Sequence, residues 1–373
     1  MTGPCVTVDA MTTTEDTPTH TTEACAETVF GWILGMEQTT ALYVGDRLGW
    51  FRSLAQDGPA TAPELAARTG TAARYAREWL EYQAVSGMLT VDDAAAAPDD
   101  RRFAMPAAHV PVLADLDSET VLTPFARILV ASLRHIDDLL EAYRTGGGVS
   151  WEVLGDDARE GQAEQNRPLL RDALARDHLP RLGEVDAALR AGGRVADVGC
   201  GEGWSSIGIA RGYPTARVDG FDVDAASVDA ARRHVESEGV DDRVRVHHAE
   251  VASAEAGVYD LVCAFECVHD MPDPVSVLAA MRRAVAPGGT VLIMDEKVAE
   301  AFAPDGDEVE RLFYGFSLMC CLPDGLSTDD SVGTGTVMRR STLEEYARAA
   351  GFSGVEVLDD LENDIFRFYR LVV

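Results

Sequence analysis

Three glycines at alternate positions mark the stretch of this chain that is best suited to hold a ligand. The stretch from Arg194 to Ser206 reads R-V-A-D-V-G-C-G-E-G-W-S-S, where a short apolar run is followed by Gly199, Gly201 and Gly203. Glycine adopts backbone angles that are closed to other residues and lets a ligand approach the main chain. A helix that begins directly after the loop turns its free amide groups toward the same ligand. The order strand, glycine turn, helix therefore predicts a ligand-binding loop.

An acid at the end of the next predicted strand adds a second binding group. The segment Ala216–Asp224 reads A-R-V-D-G-F-D-V-D, and Asp222 lies 25 residues beyond Asp197. A carboxylate in this place can accept hydrogen bonds from both hydroxyls of a ribose. The loop lacks the third glycine of a dinucleotide fingerprint, because Trp204 stands there, and the chain has no phosphate-loop motif. We therefore expect a ligand that carries a ribose but no pyrophosphate.

These two features together resemble the class I S-adenosylmethionine-dependent methyltransferases, whose first motif is D-x-G-x-G-x-G and whose second strand ends in an acid. The resemblance implies S-adenosylmethionine as the cofactor. It implies that Asp197 and the three glycines, Gly199, Gly201 and Gly203, form the loop under the amino-acid part of the cofactor. It also implies that Asp222 holds the ribose. An unrelated nucleotide ligand on a doubly wound fold is the alternative.

The same resemblance extends to two further cofactor contacts. An acid just after the third strand of the family pattern faces the adenine, which makes Glu250 the candidate to accept from the adenine amino group. Phe265, at the end of the predicted fourth strand, would lie beside the cofactor. For Glu250 a solvated loop acid is the alternative interpretation.

A histidine after the fourth strand is the candidate for proton transfer. The segment Glu266–Ala279 reads E-C-V-H-D-M-P-D-P-V-S-V-L-A and resembles the H-D-W-x-D segment of small-molecule O-methyltransferases, in which the histidine is the general base. The resemblance implies that His269 is the base, and Asp295, at the end of the fifth strand, could orient it. A hydroxyl with a pKa near about 10 is a poor nucleophile at neutral pH, and an imidazole with a pKa near about 6.5 can remove its proton. A loop histidine without a catalytic role is the alternative, and we expect no metal site.

The N-terminal part reads as a winged helix. In the segment Thr61–Leu89, Thr61 begins a short helix and Thr71 is expected to cap a second one, and a hairpin follows. DNA binding is disfavoured because the candidate recognition helix carries two glutamates beside its two arginines and the hairpin is acidic. The arrangement resembles O-methyltransferases of secondary metabolism, which implies a homodimer formed through this domain. Four glycines interrupt the helical pattern of residues 25–55, namely Gly31, Gly35, Gly45 and Gly49, and suggest two helices in close contact, either as ordinary core helices or at a dimer interface.

Composition limits the function classes. The chain has 373 residues and a formal net charge of -31, and such a surface repels nucleic acid and anionic lipid. It has no apolar run long enough to span a membrane and no signal-peptide pattern, so we expect a cytoplasmic protein. The seven cysteines include no C-x-x-C pair, so no disulfide framework or zinc site is expected. The acid excess with a single lysine suggests adaptation to high salt, although codon bias could also deplete lysine.

The predicted architecture is an α/β fold, in which a doubly wound, seven-stranded Rossmann-like methyltransferase domain is preceded by a mainly α winged-helix domain. We expect a disordered tail at 1–24, the winged-helix dimerisation domain at 25–105, a helical connector at 106–160 and the methyltransferase domain at 161–373. The predicted activity is methyl transfer to a small hydroxylated, aromatic or apolar metabolite. Methyl transfer to carbon or nitrogen, a transcription regulator with a cofactor-sensing domain, and a catalytically silent cofactor-binding protein are the alternatives.

Overall fold

A computed structural model describes residues 21–361 and 363–373 of the protein. Its first helix begins at Thr22, where the Thr21 hydroxyl accepts a hydrogen bond from the Ala24 amide at 3.1 Å. Residues 1–20 of the predicted tail lie outside the described residues, and residues 22–24 belong to the helix instead. The short polar segment before Cys25 is helical because Thr21 caps it.

The N-terminal region is a winged helix, as expected. It consists of α1 (Thr22–Arg47), α2 (Trp50–Gln56), α3 (Ala62–Thr69), α4 (Ala73–Val85) and the two-stranded ribbon β1 (Thr90–Val91) and β2 (Phe103–Ala104). Thr61 and Glu64 cap α3 reciprocally, which confirms the predicted start of that helix. Thr71 does not cap α4, which begins after Ala72. Its hydroxyl lies 3.1 Å from the indole nitrogen of the buried Trp50, so it serves the core of the domain.

Helices connect this region to the sheet. They are α5 (Val110–Leu113), α6 (Thr123–Arg134), α7 (Ile136–Thr145), α8 (Trp151–Leu154), α9 (Asp156–Arg167), a π-helical segment (Pro168–His178) and α10 (Gly183–Arg190). A buried ion pair between Arg127 and Asp46 joins α6 to α1. The predicted boundary between residues 160 and 161 falls inside α9, which runs without a break from Asp156 to Arg167.

Seven strands form one mixed sheet in the order β5-β4-β3-β6-β7-β9-β8. The strands are β3 (Arg194–Val198), β4 (Arg217–Asp222), β5 (Val244–His248), β6 (Tyr259–Phe265), β7 (Val285–Glu296), β8 (Gly354–Val357) and β9 (Phe366–Val372). Strands β3 to β7 run parallel, whereas β9 is antiparallel to both of its neighbours. The strand order reverses between β3 and β6, which opens a crevice at the carboxyl ends of these strands.

Helices cover both faces of the sheet. They are α11 (Trp204–Gly212), α12 (Ala225–Ser237), α13 (Pro274–Ala284), α14 (Glu308–Phe316), a π-helical segment (Ser317–Cys321), α15 (Leu322–Gly325) and α16 (Arg340–Ala349). One core cluster packs α10, α11 and α12 on one face, and another packs α13 and α16 on the other. This confirms the doubly wound, Rossmann-like fold. In the described part of the chain, no helix combines the length and the apolar character that crossing a bilayer requires.

Candidate active site

The glycine loop follows β3 and faces the crevice where the strand order reverses. Its glycines have φ angles of 66°, 51° and 84° at Gly199, Gly201 and Gly203, in the region that strains residues with a side chain. A Cβ at Gly199 would lie 2.7 Å from the sulfur of Cys267, so this glycine also allows close packing. Apart from its chain neighbours, no atom of the described residues lies within 4 Å of a Cβ built on Gly201, which leaves the main chain there open to a ligand.

Asp197 shapes the loop from below. Its side chain is 1% exposed, and its Oδ2 accepts hydrogen bonds from the hydroxyls of Ser205 and Ser206, both at 2.6 Å. These serines lie in the first turn of α11, so Asp197 ties that helix to the end of β3. Burial raises the pKa of Asp197 above its usual range, and the two hydroxyls oppose that change. The structure thus gives Asp197 a role in holding the loop, with its bonding oxygen directed at α11.

Asp222 ends β4 beside the glycine loop. Its Oδ2 accepts from the Gly201 amide at 2.8 Å and its Oδ1 accepts from the Asp224 amide at 2.9 Å. Each carboxylate oxygen can accept a second hydrogen bond, so both remain capable of binding ribose hydroxyls. Burial raises the pKa of Asp222, against the effect of the two amides. The two amides fix the carboxylate at the edge of the loop.

The two remaining cofactor candidates differ in burial. Glu250 follows β5 and is exposed, with its backbone oxygen accepting from the Ser253 hydroxyl at 2.7 Å. The neighbouring Ala249 amide donates to the Asp222 carbonyl at 2.9 Å, which brings this turn to the same edge of the sheet. Phe265 ends β6 and is 6% exposed, with its ring in the hydrophobic core. Any contact of Phe265 with a ligand in the crevice therefore falls mainly to its backbone.

His269 is the centre of a buried acidic cluster. It is 2% exposed, and its Nδ1 lies 2.8 Å from Oδ1 of Asp295 and 2.9 Å from Oε2 of Glu296. Its Nε2 lies 3.2 Å from Oδ1 of Asp270. Strand β7 supplies Asp295 and Glu296, and the turn after β6 supplies the other two residues, because these parallel strands are neighbours in the sheet. The predicted pair of His269 and Asp295 is thus in contact.

The acids decide the charge of the imidazole. Burial alone would lower the pKa of His269, but Asp270, Glu296 and Asp295 outweigh it and raise the pKa well above 6.5. Burial raises the pKa of Glu296, whereas the charge of His269 holds the pKa of Asp295 low despite burial. A charged imidazole carries hydrogen on both nitrogens, which matches a carboxylate oxygen beside each of them.

Sequence reasoning did not assign Glu296, Asp270 or Cys321 to this site. Cys321, the last residue of the π-helical turn at 317–321, has its sulfur close to His269 and Asp270. Two sets of donor atoms lie within 4.8 Å of one another, namely His269 with Asp295 and Glu296, and His269 with Asp270 and Cys321. That spacing suits a metal ion, so the expected absence of a metal site stays a prediction. The acids next to His269 and Asp295 in the sequence were the available signal.

Comparison with known proteins identifies the family. Residues 195–289 match the family model of a methyltransferase domain, and residues 38–114 match that of an Rv2258c-like winged HTH domain. A ubiquinone biosynthesis O-methyltransferase of Aromatoleum aromaticum is 35% identical over 187 residues, which cover 48% of this chain and 73% of that protein. The chain belongs to the S-adenosylmethionine-dependent methyltransferases. The corresponding enzyme of Stutzerimonas stutzeri is 34% identical to this methyltransferase over 186 residues, with the same coverage of both chains.

Solved structures agree with the fold of this methyltransferase over most of its length. Mitomycin 7-O-methyltransferase MmcR has a TM-score of 0.67 at 22% identity, and the match covers 94% of this chain and 98% of that one. Human N-acetylserotonin methyltransferase in complex with SAM has a TM-score of 0.68 at 17% identity, with 93% and 97% covered. At these identities the likeness establishes the shared fold.

The cofactor of this family, S-adenosylmethionine, fits the residues at the crevice. The open main chain at Gly201 leaves room for the amino-acid part, and the fixed carboxylate of Asp222 suits ribose hydroxyls. The acidic surroundings also suit a ligand that carries a positive sulfonium and ammonium. The predicted enzyme class and cofactor are therefore confirmed.

Proposed function

We propose that this methyltransferase transfers the methyl group of S-adenosylmethionine to a hydroxyl of a small, largely apolar acceptor, with His269 as the general base. The observation that carries the proposal is the hydrogen bond of 2.8 Å between Nδ1 of His269 and Oδ1 of Asp295. It orients the ring and leaves Nε2 as the nitrogen that can exchange a proton with an acceptor. Glycine loop, Asp222 and His269 all follow carboxyl ends of neighbouring strands, which favours one shared reaction site.

The chain's own residues then have distinct tasks. When bound, S-adenosylmethionine supplies a methyl group already activated by its sulfonium, so alignment of the acceptor provides much of the rate. Asp197 holds the loop, and Asp222 positions the cofactor through the ribose. Acceptor binding must break the contact between Nε2 of His269 and Asp270 so that a hydroxyl can reach this nitrogen. His269 then takes the hydroxyl proton as the oxygen attacks, and Asp295 stabilises the resulting imidazolium.

An apolar wall next to the base supports a small apolar acceptor. Cys321, close to His269, packs at the edge of a hydrophobic cluster between α6, α8, α9 and the π-helical turn at 317–321. Within it the rings of Phe125 and Phe316 lie 5.3 Å apart. Aromatic side chains provide flat surfaces for a ring-shaped acceptor. This surface and the proton-accepting histidine together favour a hydroxylated aromatic compound.

The choice of oxygen over nitrogen or carbon is tested by product analysis. The enzyme is incubated with S-adenosylmethionine carrying a deuterated methyl group and a panel of phenols, anilines and carbon acids, and the labelled products are analysed by NMR. We expect an O-methyl ether as the main product. An N-methyl or C-methyl product formed in preference would contradict the assignment of the acceptor atom. The absence of any labelled product, together with intact cofactor binding, would favour a silent cofactor-binding protein.

The regulator hypothesis gains little from the winged helix. Both arginines of α4, the candidate recognition helix, are paired with acids. Arg74 lies 2.5 Å from Glu78, and Arg77 lies 3.3 Å from Asp99. Paired arginines on an acidic surface attract DNA phosphates weakly. We therefore propose that the winged helix serves assembly. Salt-dependent shifts of labelled duplex DNA on a native gel would contradict this.

We further propose that two copies associate through the first half of α1. Six large apolar side chains there are between 40% and 62% exposed, which are Val29, Phe30, Trp32, Ile33, Leu34 and Met36. Such a patch on a helix indicates a protein contact. Among the described residues, no atom of another element lies within 4 Å of a Cβ built on Gly31 or Gly35, so a second helix can approach the backbone there. Light scattering after size exclusion should give a dimer for wild type and a monomer for Trp32→Asp. Val85→Asp, at an apolar residue on α4 that is 88% exposed against 62% for Trp32, is the control. A dimer that survives Trp32→Asp unchanged would contradict the proposal.

The predicted domain division and location also become proposals. Limited proteolysis that cuts first near residue 105 would support the division between the winged helix and the rest of the chain. Recovery of the protein in the cytoplasmic fraction of its own cells would support the expected location.

A further inference from the structure

Glu266 has a backbone conformation that a glutamate does not favour. Its φ is 54°, and Asp330 is the only other described residue besides glycine with a positive φ. A side chain at such an angle stores strain that the surrounding structure must offset, and strain of this kind is common at functional sites. Glu266 directly follows β6 and its amide donates to the Met294 carbonyl at 2.8 Å, which fixes the turn between the glycine loop and His269.

The two carboxyl oxygens of Glu266 differ in their hydrogen bonding. Its Oε2 accepts from Nε2 of Gln162 at 3.1 Å and from Nδ2 of Asn166 at 2.9 Å. These two side-chain amides lie one turn apart on the same face of α9, so both can donate to the same oxygen. Its Oε1 is inaccessible and has no hydrogen-bond partner within residues 21–361 and 363–373. Buried polar atoms usually have a hydrogen-bond partner, so a bound ligand is the candidate partner of this oxygen.

The charges around Glu266 belong to the cluster of the candidate base. Burial raises the pKa of Glu266 to about 8, with Asn166 and His269 lowering it and Asp295 and Asp270 raising it. The carboxyl group is therefore mostly protonated at neutral pH. Because Oε2 accepts two amide hydrogens, the proton belongs on Oε1, which makes that oxygen a hydrogen-bond donor.

We propose that Oε1 of Glu266 donates a hydrogen bond to a second oxygen of the methyl acceptor, next to the hydroxyl that His269 deprotonates. The inference rests on the function proposed above and narrows its substrate class to compounds with two neighbouring oxygens on one ring. A single hydroxyl would satisfy His269 and leave Oε1 buried without a partner, at a cost in binding. Glu266 thereby selects the acceptor and fixes which of its oxygens meets the base.

Binding of a matched pair of probes tests this directly. Catechol and phenol differ by the one hydroxyl in question, and each is titrated by calorimetry into full-length protein saturated with S-adenosylhomocysteine. We expect wild type to bind catechol about tenfold more tightly than phenol, since a hydrogen bond in a buried site contributes that much. Glu266→Leu should reduce this preference to about twofold or less while phenol affinity stays within about threefold.

Glu266→Gln is the matched control. Its amide oxygen can accept from Gln162 and Asn166, and its amide hydrogens can replace the donor at Oε1, so we expect it to keep the preference for catechol. Should Glu266→Leu fail to fold, Glu266→Gly removes the same group and tolerates the positive φ without strain. Circular dichroism checks folding, and titration with S-adenosylhomocysteine alone checks the cofactor site.

The outcomes separate this inference from the proposed function. A preference for catechol that persists in Glu266→Leu and Glu266→Gly, equal or absent binding of the two probes by wild type, or loss of S-adenosylhomocysteine affinity in parallel with catechol affinity would each overturn it. The last result would assign Glu266 to the cofactor. The transfer of labelled methyl to oxygen is measured separately, so failure of methyl transfer alone contradicts the proposed function and leaves the binding preference as evidence for Glu266.

Discussion

Replacement of Asp270 by asparagine should move the pH dependence of the reaction. His269 acts as a base only when it has lost its proton, and the acids around it raise its pKa well above 6.5. Activity should therefore rise with pH through that raised pKa in wild type. Asp270→Asn removes a negative charge beside Nε2, which lowers the pKa of His269 and moves the rising limb of the profile to lower pH.

The distance sets the size of this shift. At the 3.2 Å between Nε2 and Oδ1, a pair of unit charges interacts by about 1.3 kcal/mol at the dielectric constant of water and about 5 kcal/mol at an effective value of 20. The Asp270 side chain is 30% exposed, so solvent screens the pair and the lower part of that range applies. Since about 1.4 kcal/mol corresponds to one pKa unit, we expect the rising limb to move down by about one pH unit or somewhat more.

The assay is kcat/KM for methyl transfer, which reports the ionisation of the free enzyme, across the stable pH range. Asp273→Asn is the control, because Asp273 lies on the same turn but caps α13 through the Ser276 amide at 3.0 Å. Its profile should match that of wild type. A rising limb that stays in place in Asp270→Asn, or moves to higher pH, would refute the reasoning that Asp270 controls the charge of a catalytic His269.

Three further predictions concern the cofactor loop and the fold. Asp222→Ala should weaken S-adenosylmethionine binding about 10- to 100-fold by calorimetry, because hydrogen bonds to a charged group contribute about 1.5–3 kcal/mol. Glu250→Ala, at an exposed position, should weaken binding less. Similar small effects of both substitutions would contradict the assignment of Asp222 to the ribose. Joint replacement of Ser205 and Ser206 by alanine should lower the free energy of unfolding in urea by about 2–5 kcal/mol, because the buried Asp197 loses both hydroxyl donors. Ser237→Ala, at an exposed serine, is the control, and an equally small loss in both variants would contradict this prediction. With a net charge of -31, the melting temperature should rise between low salt and about 2 M potassium chloride, and an unchanged value would exclude salt adaptation.

Local sequence patterns were sufficient to predict the glycine loop and the strands beside it. The predicted fourth strand ends at Phe265, as β6 does, because it is a mainly apolar run of a length typical of a buried strand. The glycine spacing located the loop, and the distance to Asp222 located the second strand end. These features are short-range, so they can be read without knowledge of the partners across the sheet.

The charge of His269 could be inferred only from the folded structure. Asp295 and Glu296 are consecutive residues at the end of β7, and sequence reasoning assigned only Asp295 to His269. In the structure both carboxylates lie within 2.9 Å of Nδ1 of His269. After α14 the chain changes to π-helical geometry at Ser317, and this turn brings Cys321 to the site. Such placements depend on packing between elements distant in sequence, which periodicity does not encode.

In the proposed reaction, His269 removes the proton of the acceptor hydroxyl. The most direct test is the turnover of His269→Ala on an acceptor that wild type methylates, with and without added imidazole. We predict a loss of turnover of about 100-fold or more, the usual contribution of a general base, partial recovery with imidazole, and unchanged affinity for S-adenosylmethionine. Turnover within about threefold of wild type, or a loss that imidazole leaves unchanged at every pH, would contradict the assignment of His269 as the base.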